Sequence, residues 1–139
     1  MSHPVVIIDT NVVVAGLLTA NESSPVARIL DGMLGAAFPF VVSEALLAEY
    51  RAVLVRPHLR KLHRLAVAEI ETILTELAHH AIVLVPVTGP RAPEPGDQFL
   101  WDLLTARPDV VLVTGDKRLI RDIGMQGRVV SPGAFVSDA

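Results

Sequence analysis

Short aliphatic runs, each cut off by a turn former or an acid, alternate along this chain with longer stretches whose apolar residues recur at helical spacing. The runs fall at 5–8, 38–42, 81–85, 110–113 and 129–130. Each is too short for a helix and too uniformly apolar for a half-exposed strand, so each is expected to be a strand buried on both faces. Between them, Ser24-Pro25 has the form of an N-cap followed by proline at the first helical position, and Gly35 is a natural stop. A second helix is expected over 43–55, capped by Ser43 and halted before Pro57. Further helical stripes cover 66–78, 97–106 and 117–123, and the Pro- and Gly-rich segment 89–96 reads as a loop. Such alternation predicts an α/β fold with a central parallel sheet between helical layers, a three-layer α/β/α sandwich.

At 139 residues the sequence is expected to form one domain over 1–139. Aromatic residues make up only 4 %, so the core must be built from Val, Leu, Ile and Ala. Cysteine is absent, which excludes disulfides and thiolate metal sites and fits a reducing compartment. Met1-Ser2-His3-Pro4 lacks the basic start of a signal peptide, and no apolar stretch is long enough to span a bilayer. The expected location is cytoplasmic, with no membrane partner.

The net charge is −3, which argues against a broadly basic nucleic-acid binder. Phosphate binding needs only local positive charge, however. Arg51, Arg56, Arg60, Lys61 and Arg64 occur in a stretch, 51–68, that has no acid. Such a run is either a solvated helical face or a guide for RNA.

In open α/β sheets the functional crevice lies beyond the carboxyl ends of the strands. Asp9 and Asp116 are placed there, after the first and fourth runs; strand-end Asp also serves as a turn former or cap. Glu49 lies on its helical wheel between Leu46 and Val53, within the apolar stripe, where an unpaired carboxylate is costly. Asp97 shares a face with Leu100, Trp101 and Leu104, although a first-turn Asp is also favoured by the helix dipole. Asp102 falls on the other side of that helix, as a solvated charge. Four acids on separate elements, with no Cys and no well-placed His, suit Mg²⁺ or Mn²⁺ better than Zn²⁺.

Val-Ile-Ile-Asp-Thr-Asn at 6–11, Val-Val-Ser at 41–43 with Glu49 following, Asp-Gln-Phe-Leu at 97–100 and Leu-Val-Thr-Gly-Asp at 112–116 together resemble the PIN-domain nucleases. The likeness runs in order from about residue 4 to 130 and is strongest to the PIN-family toxins of prokaryotic toxin–antitoxin systems. The resemblance implies that Asp9, Glu49, Asp97 and Asp116 are the metal-site acids, with Asp9, Asp97 and Asp116 as direct ligands and Glu49 acting directly or through water. It implies that Asn11 braces Asp9, that Thr114 orients a carboxylate or water, and that Ser43 is the family's helix-opening serine. Trp101-Asp102 and Arg107-Pro108 depart from the family pattern without removing an acid.

What the resemblance implies is a Mg²⁺- or Mn²⁺-dependent endoribonuclease, the toxin of a toxin–antitoxin pair, homodimeric and restrained by a cognate antitoxin. A cation held by these acids would acidify a bound water for in-line attack on the RNA phosphodiester. The alternative is a degenerate PIN-like domain that binds RNA or protein without cutting. A haloacid-dehalogenase-like phosphatase needs a second acid two residues after the first, where Asn11 stands. A phosphoacceptor receiver domain needs an acidic pair after its first strand, also absent.

Overall fold

The computed structural model describes residues 4–122 and 128–137. Five short strands, β1 (Val6–Ile8), β2 (Val41–Val42), β3 (Ile82–Val83), β4 (Val111–Val113) and β5 (Val129–Val130), pair in parallel throughout. β1 pairs with β4, β4 with β5 and β2 with β3, and a parallel bridge from Val6 to Phe40 joins the two sets. The spatial order is therefore β3-β2-β1-β4-β5. The chain leaves β1 on one side, then returns to build on the other, so the order reverses between β1 and β4. In doubly wound sheets that reversal opens a crevice at the strands' carboxyl ends.

The helices are α1 (Thr10–Leu18), α2 (Pro25–Leu34), α3 (Glu44–Leu54), α4 (Pro57–His63), α5 (Val67–His80), α6 (Gln98–Ala106), α7 (Lys117–Ile120) and α8 (Pro132–Ser137). Together with the sheet they make the expected α/β sandwich. Among the described residues none is long and apolar enough to cross a membrane. Ser24 and Ser43 cap α2 and α3, accepting the Ala27 and Leu46 amides at 3.3 and 3.1 Å. The buried side of α3 carries Leu46, Tyr50, Val53 and Leu54. The Tyr50 hydroxyl, fully buried, donates to the Ile8 carbonyl and so ties α3 to the end of β1. Arg128 donates to the carbonyls of Leu104, Arg107 and Val110, fastening the end of α6 to the sheet.

Several elements differ from the sequence expectation. α1 was not expected: its Thr-Asn-Val-Val-Val start favours strand and shows no helical period, and burial of Val12 and Val13 overrides propensity. Pro57, expected as a stop, opens α4, which proline at the first helical position also permits. The tail carries α8, whose Phe135 meets Phe38 edge-on with ring centroids 5.1 Å apart. β1 to β4 are shorter than the runs that announced them, and β5 matches its run. His3 and the expected helix end at Ile123 lie outside the described residues.

α1 and α2 cross closely at Gly16. A methyl added there would sit 2.8 Å from the Val26 carbonyl oxygen and 2.9 Å from Leu30 Cβ. Gly16→Ala should therefore lose about 1–3 kcal/mol to overpacking, against a helix-propensity gain of at most about 1 kcal/mol. Urea unfolding should show a lower midpoint for Gly16→Ala. Gly96→Ala, whose methyl meets nothing within 4 Å, should stay within about 0.5 kcal/mol of the parent.

Candidate active site

Asp9 is the first residue beyond β1, and its backbone amide still donates to the Val113 carbonyl at 2.9 Å. It then caps α1, with Oδ1 accepting the Thr10 amide at 2.7 Å. Its Oδ2 accepts the Thr114 hydroxyl at 2.8 Å and Asn11 Nδ2 at 3.2 Å. Only 7 % of Asp9 is exposed. Thr114, fully buried just past β4, also accepts the Asp116 amide at 3.0 Å, while Asn11 Oδ1 accepts the Gly115 amide at 3.0 Å. A closed ring of hydrogen bonds thus fixes the two strand ends against each other.

Asp116 caps α7 and accepts the Arg118 amide at 2.9 Å. Its two oxygens are also gripped by the Arg118 guanidinium, Nε at 3.2 Å and Nη2 at 2.9 Å. Asp97 ends a one-turn 3-10 helix, Pro95–Asp97, and stands at the cap position of α6 without a side-chain capping bond. Neither Asp97 nor Glu49 has a side-chain hydrogen bond or ion pair among the described residues. Glu49 is half-buried on α3, which packs against α1 and α6.

All four carboxylates line one open cavity of about 490 Å³, with Val14, Ala15, Leu18 and Val53 as apolar wall. Asp9 and Asp116 stand on either side of the reversal in strand order, and Glu49 and Asp97 reach the cavity from the helices beyond. Burial raises the Asp9 pKa above the ordinary carboxylate value, and the charges of Asp116 and Glu49 raise it further, against the hydrogen bonds from Thr114 and Thr10. Asp97 is raised by burial and then by Asp9 and Asp116. Asp116 is lowered, chiefly by its bonds to Arg118. Burial raises the Tyr50 hydroxyl pKa, as does the nearby charge of Asp9.

Among the described residues no three Asp, Glu, His or Cys side chains lie close enough together to hold a metal ion. Like charges keep apart, and Asp116 is drawn onto Arg118. The cavity wall includes Thr10, only 8 % exposed, whose hydroxyl oxygen is buried without a hydrogen-bond partner. Such an orphaned group is costly unless a ligand or water completes it.

Ser43 is buried and serves as a helix cap, and it is not among the cavity-lining residues. Arg51 is engaged by Glu71 of α5 in a bidentate pair at 2.7 and 3.0 Å. Arg56 is exposed. Arg60, Lys61 and Arg64 line a second open cavity of about 460 Å³, away from the acids. Trp101 packs fully into the core. Asp102 is not the solvated charge expected: it is half-buried, and its Oδ1 accepts the Gly89 amide at 2.9 Å and Gln98 Nε2 at 3.0 Å, holding the 89–96 loop. Thr10 and Arg118 were missed. Thr10 sits inside the Asp-Thr-Asn motif, and Arg118 two residues after a strand-end Asp, the one available signal in each case.

The raised Asp9 pKa carries a sign. The folded chain holds that proton more tightly than the unfolded one, so ionising Asp9 costs stability as pH rises through and above the carboxylate range. In the metal-free protein the stability of Asp9→Asn relative to the parent should therefore improve as pH rises through and above the carboxylate range, whatever the fixed cost of setting an amide N–H against the donors that Asp9 now accepts. Thermal melts of both proteins across pH 3–8 in EDTA check this; a difference independent of pH would refute the electrostatic cause.

No curated protein matches the chain. The family model described as PIN domain matches residues 5–118. That match takes in β1, α3, the turn before α6 and the β4–α7 turn, the four places that carry the carboxylates, and the chain belongs to the PIN-domain family.

Proposed function

We propose that this chain is a divalent-metal-dependent endoribonuclease and that Asp9, Glu49, Asp97 and Asp116 are its catalytic acids. PIN domains are generally nucleases, bind nucleic acid and typically use divalent cations such as Mg²⁺. The observation that carries the reading is the convergence of four carboxylates from four elements on one cavity whose lining includes no His.

The donor set fits a hard cation. It is all oxygen, and its charges repel one another. Asp9, Asp97 and Asp116 would hold Mg²⁺ or Mn²⁺, with Glu49 directly or through water. Bound there, the cation would activate water as a Lewis acid and stabilise the negative charge that develops on the phosphate oxygens. Thr114 and Asn11 keep Asp9 oriented, and the bonds from Thr114 and Thr10 favour its ionised form against burial. Glu49 and Asp97, untethered, are able to swing toward a ligand or accept a proton from an attacking water. The apolar wall excludes some of the water beside the buried Asp9, which strengthens electrostatic contacts on that side of the cavity.

The narrower reading is a toxin of a toxin–antitoxin pair, cytoplasmic, homodimeric and restrained by a cognate antitoxin. It rests on the sequence resemblance. Arg60, Lys61 and Arg64 share one open cavity and would be the basic group that guides RNA, with Arg56 exposed nearby on the same chain segment and Arg51 paired to Glu71.

A purified-protein digest of end-labelled single-stranded RNA tests the chemistry. The wild type should yield 5′-phosphate and 3′-hydroxyl ends by mass spectrometry, EDTA should stop it, and Asp9→Asn should cut at least about a hundredfold more slowly. Each ligand must be deprotonated to hold the cation, so activity should fall toward acid. At subsaturating metal, where protons compete with the cation for the empty site, the fall should begin above the ordinary carboxylate pKa, because Asp9 and Asp97 are both raised there, and excess metal should shift it toward acid. A 2′,3′-cyclic phosphate that forms in EDTA would sink the assignment. Separately, replacing Arg60, Lys61 and Arg64 with Ala should flatten the salt dependence of RNA binding by roughly 0.7 in log–log slope per lost phosphate contact. An unchanged slope would make that surface a solvated face only.

A further inference from the structure

Among the described residues, the acid-lined cavity has one cationic wall residue, Arg118. Every nitrogen of its guanidinium is committed to a carboxylate. Nε and Nη2 hold both oxygens of Asp116, and Nη1 reaches Glu94 Oε1 at 3.1 Å. The side chain is nonetheless 64 % exposed, so water screens these pairs and makes them easy to exchange. With the Arg118 amide and guanidinium on both of its oxygens, Asp116 keeps about one of its four acceptor sites open, so a cation there competes with the guanidinium for the carboxylate. A phosphodiester entering the cavity meets four carboxylates, and this planar fork is the wall group shaped for phosphate.

We infer that Arg118 is a phosphate-binding residue that exchanges partners: Asp116 holds it in the metal-free chain, and it takes an RNA phosphate once a divalent cation draws Asp116 away. The inference rests on the metal-site reading above. Glu94, on the loop before Asp97, keeps the guanidinium beside the cavity during the exchange. The ion pair therefore does two things. It neutralises Asp116 while the site is empty, and it stores the phosphate contact until the metal is in place. Substrate binding at the cavity is thereby coupled to metal binding through one side chain.

The test compares wild type, Arg118→Ala and Arg118→Lys. Mn²⁺ binding is measured by calorimetry without RNA. Affinity for a fluorescently labelled single-stranded oligouridylate is measured by anisotropy in Ca²⁺ and in EDTA, over a salt series. All three proteins should bind Mn²⁺, Arg118→Ala at least as tightly as wild type because Asp116 is released. In Ca²⁺, Arg118→Ala should bind RNA about tenfold more weakly, with a salt slope flatter by about 0.7. In EDTA it should match wild type within about twofold. Arg118→Lys should recover the slope but only part of the affinity, since it offers a point charge rather than a fork. An equal loss in Ca²⁺ and EDTA would make Arg118 an ordinary surface cation and overturn the exchange. Weaker Mn²⁺ binding by Arg118→Ala would make it a structural brace for Asp116 and overturn it too. A wild type that binds no Mn²⁺ overturns the metal-site reading and this inference together. A wild type that binds Mn²⁺ beside an Arg118→Ala with unchanged RNA affinity overturns the exchange alone.

Discussion

A carboxylate buried at the end of a central strand must be held in place by its neighbours, and Asp9 draws those neighbours from both sides of the sheet's reversal. The parallel register pairs Ile8 with Val113, which puts Asp9 beside Thr114. Slipping β4 by one residue would turn the Thr114 hydroxyl to the opposite face and leave Oδ2 short of its strongest donor. The same register is fixed from behind by aliphatic packing, with Val6, Ile7, Ile8, Leu112 and Val113 all fully buried. Packing sets the strand positions, and the hydrogen bonds then tune the charge. Burial pushes the Asp9 pKa up while Thr114 and Thr10 push it down, so the balance at this one group depends on a neighbour in sequence and on a strand end far along the chain.

The strands and the strand-end acids were legible because a short aliphatic run in an α/β chain leaves few alternatives, and its last residue faces the crevice by topology. Glu49 was legible because its neighbours Leu46 and Val53 are the buried residues of α3, which forces its side chain toward the interior edge. α1 was not legible. Its valines carry no helical period, and only the cap at Asp9 and burial on two sides make it a helix. α4 was hidden because Pro57 ends one helix and begins the next with the same fixed φ. Chemistry between distant segments was the least visible. The pairing of Arg51 with Glu71, of Arg118 with Glu94 and of Asp102 with Gly89 each depends on how a loop or helix folds back, which no local pattern records.

The four acids divide by their tethers. Asp9 and Asp116 sit on backbone that the sheet fixes, and both also cap helices, so the ordinary structural role of a strand-end Asp is present alongside any catalytic one. A cap does not compete with a ligand for every lone pair: a carboxylate has about four acceptor sites, and Asp9 uses three of them. Glu49 and Asp97 have no such tether; Asp97 stands at the start of α6, where the helix dipole favours an acid, yet burial and the neighbouring carboxylates raise its pKa. Two fixed acids and two movable ones suit a site that must first define a position and then close around an ion of demanding geometry.

The apolar half of the cavity decides how strongly these charges act. Val14, Ala15 and Leu18 come from α1, the helix that Asp9 caps, and Val53 comes from α3, the helix that carries Glu49. The elements that bring the acids therefore also bring the low-dielectric wall beside them. A polar wall would let water screen the repulsion between carboxylates, and the same screening would weaken their grip on a cation or a phosphate-bearing guanidinium. The repulsion among these carboxylates opposes folding, and it is set against the burial of the continuous hydrophobic core in which β1 and β4 are packed.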